Sequence, residues 1–264
     1  MSERFYCGPI QASPGTVVVL SGPEAHHLLH VMRAKPGDRV ILFDGQGREY
    51  RAELLSGKKA EAQLRIIQVE EVSRELPGRL ILACALPKGE RQRWLVEKAV
   101  ELGVSQFVPL LTDRSVARPT AEALDRLRRA VIEASKQCGR NVLMDISTPD
   151  RWSTFCQRAD LPSVRLLAHP LEISEQSGEV SWPGEDPSTA PAVSAESSSV
   201  WERLRPYKEV VIAVGPEGGF TPAEVALAVA RGWEVVHLGS RILRTETAAV
   251  MLSSLVAAKL AGVL

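Results

Sequence analysis

The sequence predicts an α/β protein in two parts: a small barrel-like β-domain over residues 1–75 and a larger α/β domain over residues 76–264. Three observations predict it. The first 75 residues carry short β-branched runs set apart by glycine and proline turns. After Pro77-Gly78, near-continuous apolar runs alternate with helical patterns, as in a parallel sheet covered on both faces. The chain has 264 residues, 45% of them hydrophobic, which is enough material for two cores.

In the first part, residues 16–20, 39–44, 50–55 and 62–69 read as strands, with turns at Pro36-Gly37-Asp38 and Gly45-Gln46-Gly47. One helix interrupts them. Ser21 stands three residues before Glu24, the spacing of a capping box, and leads into a helix over 25–33. Short strands with a single helix point to a small barrel. The boundary falls near residues 73–78. Beyond it, 80–86 and 104–111 read as buried strands, followed by helices over 92–102 and 121–138. Residues 164–168, 210–214 and 235–238 continue the strands, and 152–158, 222–231 and 245–261 the helices. Residues 171–200 break the alternation with six acidic residues, no Lys or Arg, and many Ser, Pro and Ala. That composition cannot bury enough apolar surface to offset its ordering entropy, so a flexible surface insertion is expected.

Charge narrows the function classes. Lys plus Arg equals Asp plus Glu at 32 each, which excludes a globally basic nucleic-acid coat. The distribution is uneven, however: residues 76–140 hold 12 basic against 7 acidic side chains, and residues 141–207 hold 5 against 10. A positive middle segment in a neutral protein fits selective attraction to a polyanion. No apolar run reaches the ~18 residues of a membrane span, and the start MSERFYCGPI lacks a secretory pattern. A soluble, cytoplasmic protein without membrane contact is expected. Cys7, Cys84, Cys138 and Cys156 are scattered, so reduced thiols are expected rather than disulfides or a zinc site. His26, His27 and His30 resemble a metal cluster, but the adjacent histidines point to different helix faces and no HExxH spacing or nearby cysteine pair completes a site, so no metal is expected. The absence of GxGxxG and GxxxxGK[ST] counts against dinucleotide oxidoreductases and P-loop NTPases.

Two segments carry the chemistry. In VVIAVGPEGGFT a buried strand runs into Gly215-Pro216-Glu217-Gly218-Gly219, and Thr221, Pro222 and Glu224 supply an N-cap, a first-turn proline and an N3 carboxylate. Glycines there let backbone approach a ligand and expose amides, while Glu217 offers an acceptor; a tight turn needing positive φ explains the glycines equally well. About twenty residues later, Gly239-Ser240-Arg241-Ile242-Leu243-Arg244-Thr245-Glu246-Thr247-Ala248 opens the last helix after a strand. Two arginines, a glutamate and two threonines thus crowd the strand-to-helix crevice where open α/β sheets bind ligands.

Together, VVIAVGPEGGFTPAEV and LGSRILRTETA resemble the C-terminal signature of the SPOUT (trefoil-knot) methyltransferases. More specifically they resemble the bacterial family that methylates N3 of a uridine in 16S ribosomal RNA. RFYC, SGPEAHHLLHVMRAKPGD, VILFDGQGREYRAEL, LPKGERQRWLVEKAVELGVSQFVPL and EASKQCGR are similar to that family as well, so the resemblance covers nearly the whole chain except 171–200. The sequence departs at Asn141-Val142-Leu143-Met144, where the family often places a proline. It departs again where the insertion follows Leu167-Ala168-His169-Pro170, a segment similar to the first cofactor loop.

The resemblance implies a PUA-like RNA-binding barrel, a knotted α/β domain and a homodimer. It implies S-adenosylmethionine as cofactor and 16S rRNA in the small ribosomal subunit as partner. For the cofactor it implies Leu167, His169, Gly215, Pro216, Glu217, Gly218, Gly219, Leu238, Gly239, Arg241, Ile242, Leu243, Thr247 and Ala248. No metal is required, because the leaving group is already a neutral thioether and catalysis rests on alignment and desolvation. Arg244 is the first choice for stabilising the uracil oxyanion or orienting a phosphate, although Arg241 and Arg244 could exchange roles. Glu246 would orient that arginine or accept the N3 proton through water. For the RNA, the candidates are Arg4 and Arg33 in the barrel and Lys88, Arg91, Arg93, Lys98, Arg114 and Arg140 in the positive segment. Two other readings stay open: a SPOUT enzyme acting on another RNA, and a non-enzymatic RNA-binding ribosome-assembly factor, which would leave both C-terminal loops unexplained.

Overall fold

The computed structural model describes residues 3–170, 172–173, 180–181 and 208–264. They group into two compact units, one within Met1–Glu75 and Val131–Leu143, the other within Leu76–Ala130 and Met144–Leu264.

The first unit is a curled sheet of β1 (Arg4–Tyr6), β2 (Val17–Ser21), β3 (Arg39–Phe43), β4 (Arg48–Lys58) and β5 (Glu61–Glu71) in the order β1-β3-β4-β5-β2. Only the β1–β3 pair is parallel. The period-two pattern sends Ala62, Leu64 and Ile66 of β5 inward and Glu61, Gln63 and Arg65 outward. With Phe5, Leu28, Leu42 and Tyr50 they form the core. Register shifts between Arg51 and Ala52 and between Leu54 and Ser56 bend β4. The path curls into a half-barrel with β1 and β2 at its ends, the barrel-like form the sequence predicted. The predicted helix over 25–33 is different: α1 (Gly22–His26) passes into a π-helical turn, His27–Val31. The Ser21 side chain makes no capping bond. Glu24 instead accepts from the Tyr6 N–H at 3.2 Å and from Lys136 Nζ at 3.0 Å, so longer-range donors have taken the carboxylate a capping box needs.

The second unit holds β6 (Arg79–Ala85), β7 (Gln106–Leu111), β8 (Asp145–Ile146), β9 (Asp150–Arg151), β10 (Val164–Ala168), β13 (Glu209–Val214) and β14 (Glu234–Val236). A separate antiparallel pair, β11 (Glu172–Ile173) and β12 (Val180–Ser181), lies within the predicted insertion; the rest of 171–200 lies outside the described residues. The main sheet is parallel throughout, in the order β14-β10-β13-β6-β7-β8, with β9 also on β7. Its helices are α2 (Arg91–Glu101), α3 (Ala121–Cys138), α4 (Trp152–Phe155), α5 (Pro222–Ala230) and α6 (Thr245–Leu260). The second half of α3 groups with the first unit.

Alternation along β6 serves both faces of the sheet. Ile81 and Ala83 join a cluster with Trp152, Phe155, Phe220 and Trp233. Residues between them point the other way, toward α6, which packs on β6, β13 and α2. Trp152 lies 4.8 Å from Phe220 and 5.0 Å from Trp233, ring centroid to centroid. Both buried indoles find acceptors, Trp152 Nε1 on the Glu224 carbonyl at 3.1 Å and Trp233 Nε1 on the Cys156 carbonyl at 3.0 Å. Helix α4 ends at Phe155, short of the predicted 158, and β1, β8 and β9 are too short to register as apolar runs.

Candidate functional site

The site is built at the C-terminal ends of β13, β10 and β14. Strand β13 is buried to Val214 and then turns through Gly215-Pro216-Glu217-Gly218-Gly219. The Gly219 N–H donates to the Pro216 carbonyl at 2.8 Å, and Gly219 sits at φ +69°. A side chain at Gly215 would meet the Phe220 ring at 3.0 Å, so the backbone is pressed onto the core. The far end of the loop is pinned by the predicted capping box. Thr221 Oγ1 accepts from the Glu224 N–H, and Glu224 Oε2 accepts from the Thr221 N–H at 2.8 Å. Glu224 Oε1 accepts from the Asp113 N–H at 3.0 Å, tying in the loop after β7.

The second loop leaves β14, turns at Gly239 (φ +98°) and enters α6 at Thr245. Thr245 is buried, and its Oγ1 donates to the Gly215 carbonyl at 3.2 Å. That bond joins the two loops. His169 closes a third side, its backbone N–H donating to the Val236 carbonyl at 3.0 Å. Between them lies a cleft of about 390 Å³, within the roughly 300–1,000 Å³ of small-molecule sites.

Of the residues assigned to the cofactor, His169, Gly215, Pro216, Glu217, Gly218, Gly219, Leu238, Gly239, Arg241, Ile242, Leu243 and Ala248 line the cleft. Leu167 does not: strand alternation turns it into the core, fully buried. Thr247 is exposed on α6, while its neighbour Ala248 lines the cleft. Arg244 and Glu246 stand just outside the wall, between and beside its lining residues Leu243, Thr245 and Ala248. Arg244 is exposed at the α6 N-cap, and Glu246 is buried. Six further lining residues, Ala168, Pro170, Val214, Phe220, Pro222 and Thr245, were not assigned from the sequence. Only the Thr245 hydroxyl carried a signal, a polar group at a helix start.

The cations divide sharply. Arg4 is half-buried, held by Glu49 at 2.8 Å and by Asn141, and buried Arg140 is paired with Glu75, so both guanidinium groups are committed to protein partners. Arg114 lines the cleft and donates to the Gly218 carbonyl at 2.7 Å, so it braces the glycine loop. Arg91 lies 3.2 Å from Glu246 and 3.6 Å from Glu217. Arg93 pairs with Glu97 at 2.7 Å and Lys98 with Glu101 at 2.7 Å along α2. Arg33, held at φ +57°, and Lys88 are exposed.

Electrostatically, burial and then the Arg114 charge push the His169 imidazole below its ordinary 6.5. Burial, then the carboxylates of Glu246 and Glu217, push the Cys84 thiol up, which keeps it protonated. All four cysteines are free. Among the described residues no group of three His, Cys, Asp or Glu could hold a metal ion, and no helix is long and apolar enough to cross a membrane.

A parallel α/β unit with a two-loop cleft, accompanied by a curled β-unit, is the build of an RNA methyltransferase, and residues 74–257 match the RNA methyltransferase domain family while residues 20–67 match the RNA methyltransferase PUA domain. Within that class, the chain belongs to the ribosomal RNA small subunit methyltransferase E family. It is 32% identical to the Synechocystis sp. member, covering 94% of this chain and 75% of that one. It is 33% identical to the Bacillus subtilis member, covering 87% and 85%. The crystal structure of ribosomal RNA small subunit methyltransferase E from Neisseria gonorrhoeae bound to S-adenosyl methionine is similar with a TM-score of 0.77. That pair is 29% identical and covers 96% of each chain.

Proposed function

We propose that this chain methylates N3 of a specific uridine of 16S rRNA in the small ribosomal subunit, with S-adenosylmethionine held in the 390 Å³ cleft. The observation that carries this reading is the Thr245–Gly215 bond, which fastens the two loops into one concave site. The donor set suits the cofactor. Two turns of largely backbone polar groups can read an adenine edge and ribose hydroxyls. Ala168, Val214, Phe220 and Leu243 offer apolar surface, and Glu217 supplies one carboxylate. When bound, the cofactor supplies a methyl group on a sulfonium. The chain's own work is to orient it, exclude water and manage the proton of the uracil imide.

Arg244, exposed at the rim with no ion pair among the described residues, is assigned to the uracil oxygen, where negative charge develops as the N3 proton leaves. Glu246 is assigned as the proton acceptor: its Oε2 is buried and has no hydrogen-bond partner among the described residues. Residues 1–75, with Arg33, and the positive segment with Lys88 are assigned to RNA capture. Residues 76–264 are assigned to catalysis along the knotted path the resemblance implies, in a cytoplasmic homodimer.

The test is direct. Purified protein, labelled cofactor and small ribosomal subunits lacking the modification should yield N3-methyluridine. Label on another base, on ribose or nowhere overturns the reading.

A further inference from the structure

We infer that Arg91 is a positioning residue for methyl transfer, acting through the two carboxylates it bridges rather than on the RNA backbone. The inference rests on the reading of Glu246 as proton acceptor and names what holds that acceptor in place.

Arg91 is the first residue of α2, and no acidic residue lies in that helix's first turn. A cation there opposes the helix macrodipole, so an arginine free to choose would swing into solvent. It is instead held across the site. Nη1 donates to Glu246 Oε1 at 3.2 Å, while Nη2 lies 3.6 Å from Glu217 Oε1. These acids belong to different loops, one in the glycine turn after β13 and one in the first turn of α6. A planar guanidinium presents two separated donors in a fixed fork, which a lysine cannot do.

The consequence falls on Glu246. Its side chain is 9% exposed, and the Arg91 bond occupies only one oxygen. That fixes the rotamer and leaves buried Oε2 as the open acceptor. The groups around it are Arg91 from α2, Glu217 from the glycine loop, Cys84 from β6 and Arg244 preceding it. Because Glu217 lines the cleft, one side chain aligns the cofactor wall with the proton acceptor.

The experiment uses the full chain, with turnover on unmodified small subunits, titration of S-adenosylmethionine and the salt dependence of RNA binding. Arg91→Met is expected to lower kcat at least ~10-fold, while KM for the subunit and the salt slope stay unchanged. Arg91→Lys should recover part of the loss. In a double-mutant cycle, Arg91→Met should add little on a Glu246→Gln background, because both changes disable one unit. A phosphate-contacting Arg91 would instead raise KM, leave kcat intact and flatten the salt slope by about 1, overturning the inference. Additive losses in the cycle overturn it too, and the cycle still decides if Arg91→Met proves poorly folded, since Arg91→Lys can stand in its place. Full turnover in Glu246→Gln alone would sink the acceptor reading itself, which separates the two failures.

Discussion

Gly239 shows how much of this site is backbone. At φ +98° it occupies a conformation that L side chains rarely adopt, although nothing stands within 4 Å of where a Cβ would lie. The constraint is therefore conformational strain, on the order of 1–2 kcal/mol. Gly239→Ala should weaken cofactor binding about tenfold by titration calorimetry while shifting the global unfolding midpoint little, since residues 239–242 are exposed and the loop can relax locally. Arg244→Ala belongs to the same scale. It should fold normally by circular dichroism yet lose roughly 10²-fold in turnover, as expected for removal of a transition-state donor. Unchanged turnover would remove Arg244 from the mechanism. The glycines of both loops were legible because punctuation of this kind is local. The fate of the arginines was not. Arg4 and Arg140 look like any surface cation in sequence, and only the fold supplies Glu49, Asn141 and Glu75 to pair with them. Whether a cation is available to RNA depends on partners distant in the chain.

At the scale of elements, the chain offers two candidate capping boxes of identical spacing, and only one forms. Thr221 and Glu224 exchange both bonds at the head of α5. Ser21 and Glu24 do not, because the Tyr6 amide and the Lys136 ammonium claim the carboxylate. Thr221→Ala should therefore destabilise the protein by about 1 kcal/mol, the usual value of an N-cap. Ser21→Ala should change stability by only a few tenths of that, having no cap bond to lose. Urea midpoints of the two variants, measured together, check the contrast; equal losses would show that the Ser21 cap forms in solution. This pair also explains what a sequence can say about elements. The helices over α3 and α5 were legible because periodicity in the first and a capping box in the second agree with their tertiary setting, and α6 because its run is long and rich in Ala and Leu. The helix after Ser21 was misread because a local motif met stronger long-range donors. The two-residue strands β8 and β9 and three-residue β1 carry no periodicity at all, and exist through pairing alone.

For the whole molecule, the two units should respond to acid in different windows. In the second unit, burial and the Arg114 charge hold His169 below 6.5. Its unfolded form takes up a proton first, so its stability contribution is complete above pH 6.5 and declines as pH falls from there toward the depressed folded value. In the first unit, burial works to raise the Glu49 carboxyl, but hydrogen bonds from Arg4, Arg74 and Asn141, and the Arg74 charge, outweigh it and hold the group below 4.5. Here the folded form gives up its proton more readily. Its contribution is complete above pH 4.5 and is lost as pH falls through the lowered folded value. The tryptophans allow the windows to be separated, because residues 1–75 and 131–143 contain none. Trp152 and Trp233 are buried in the second unit and report its packing. Urea unfolding followed by tryptophan fluorescence should lose stability first just below pH 6.5, and His169→Asn should flatten that slope. Far-ultraviolet circular dichroism, which sums both units, should add a second loss below pH 4.5 that Glu49→Gln removes at a general cost in stability, since Arg4 and Arg74 then lose their carboxylate. A fluorescence profile flat from pH 7 to 5 would show that His169 is not the group that sets the first window.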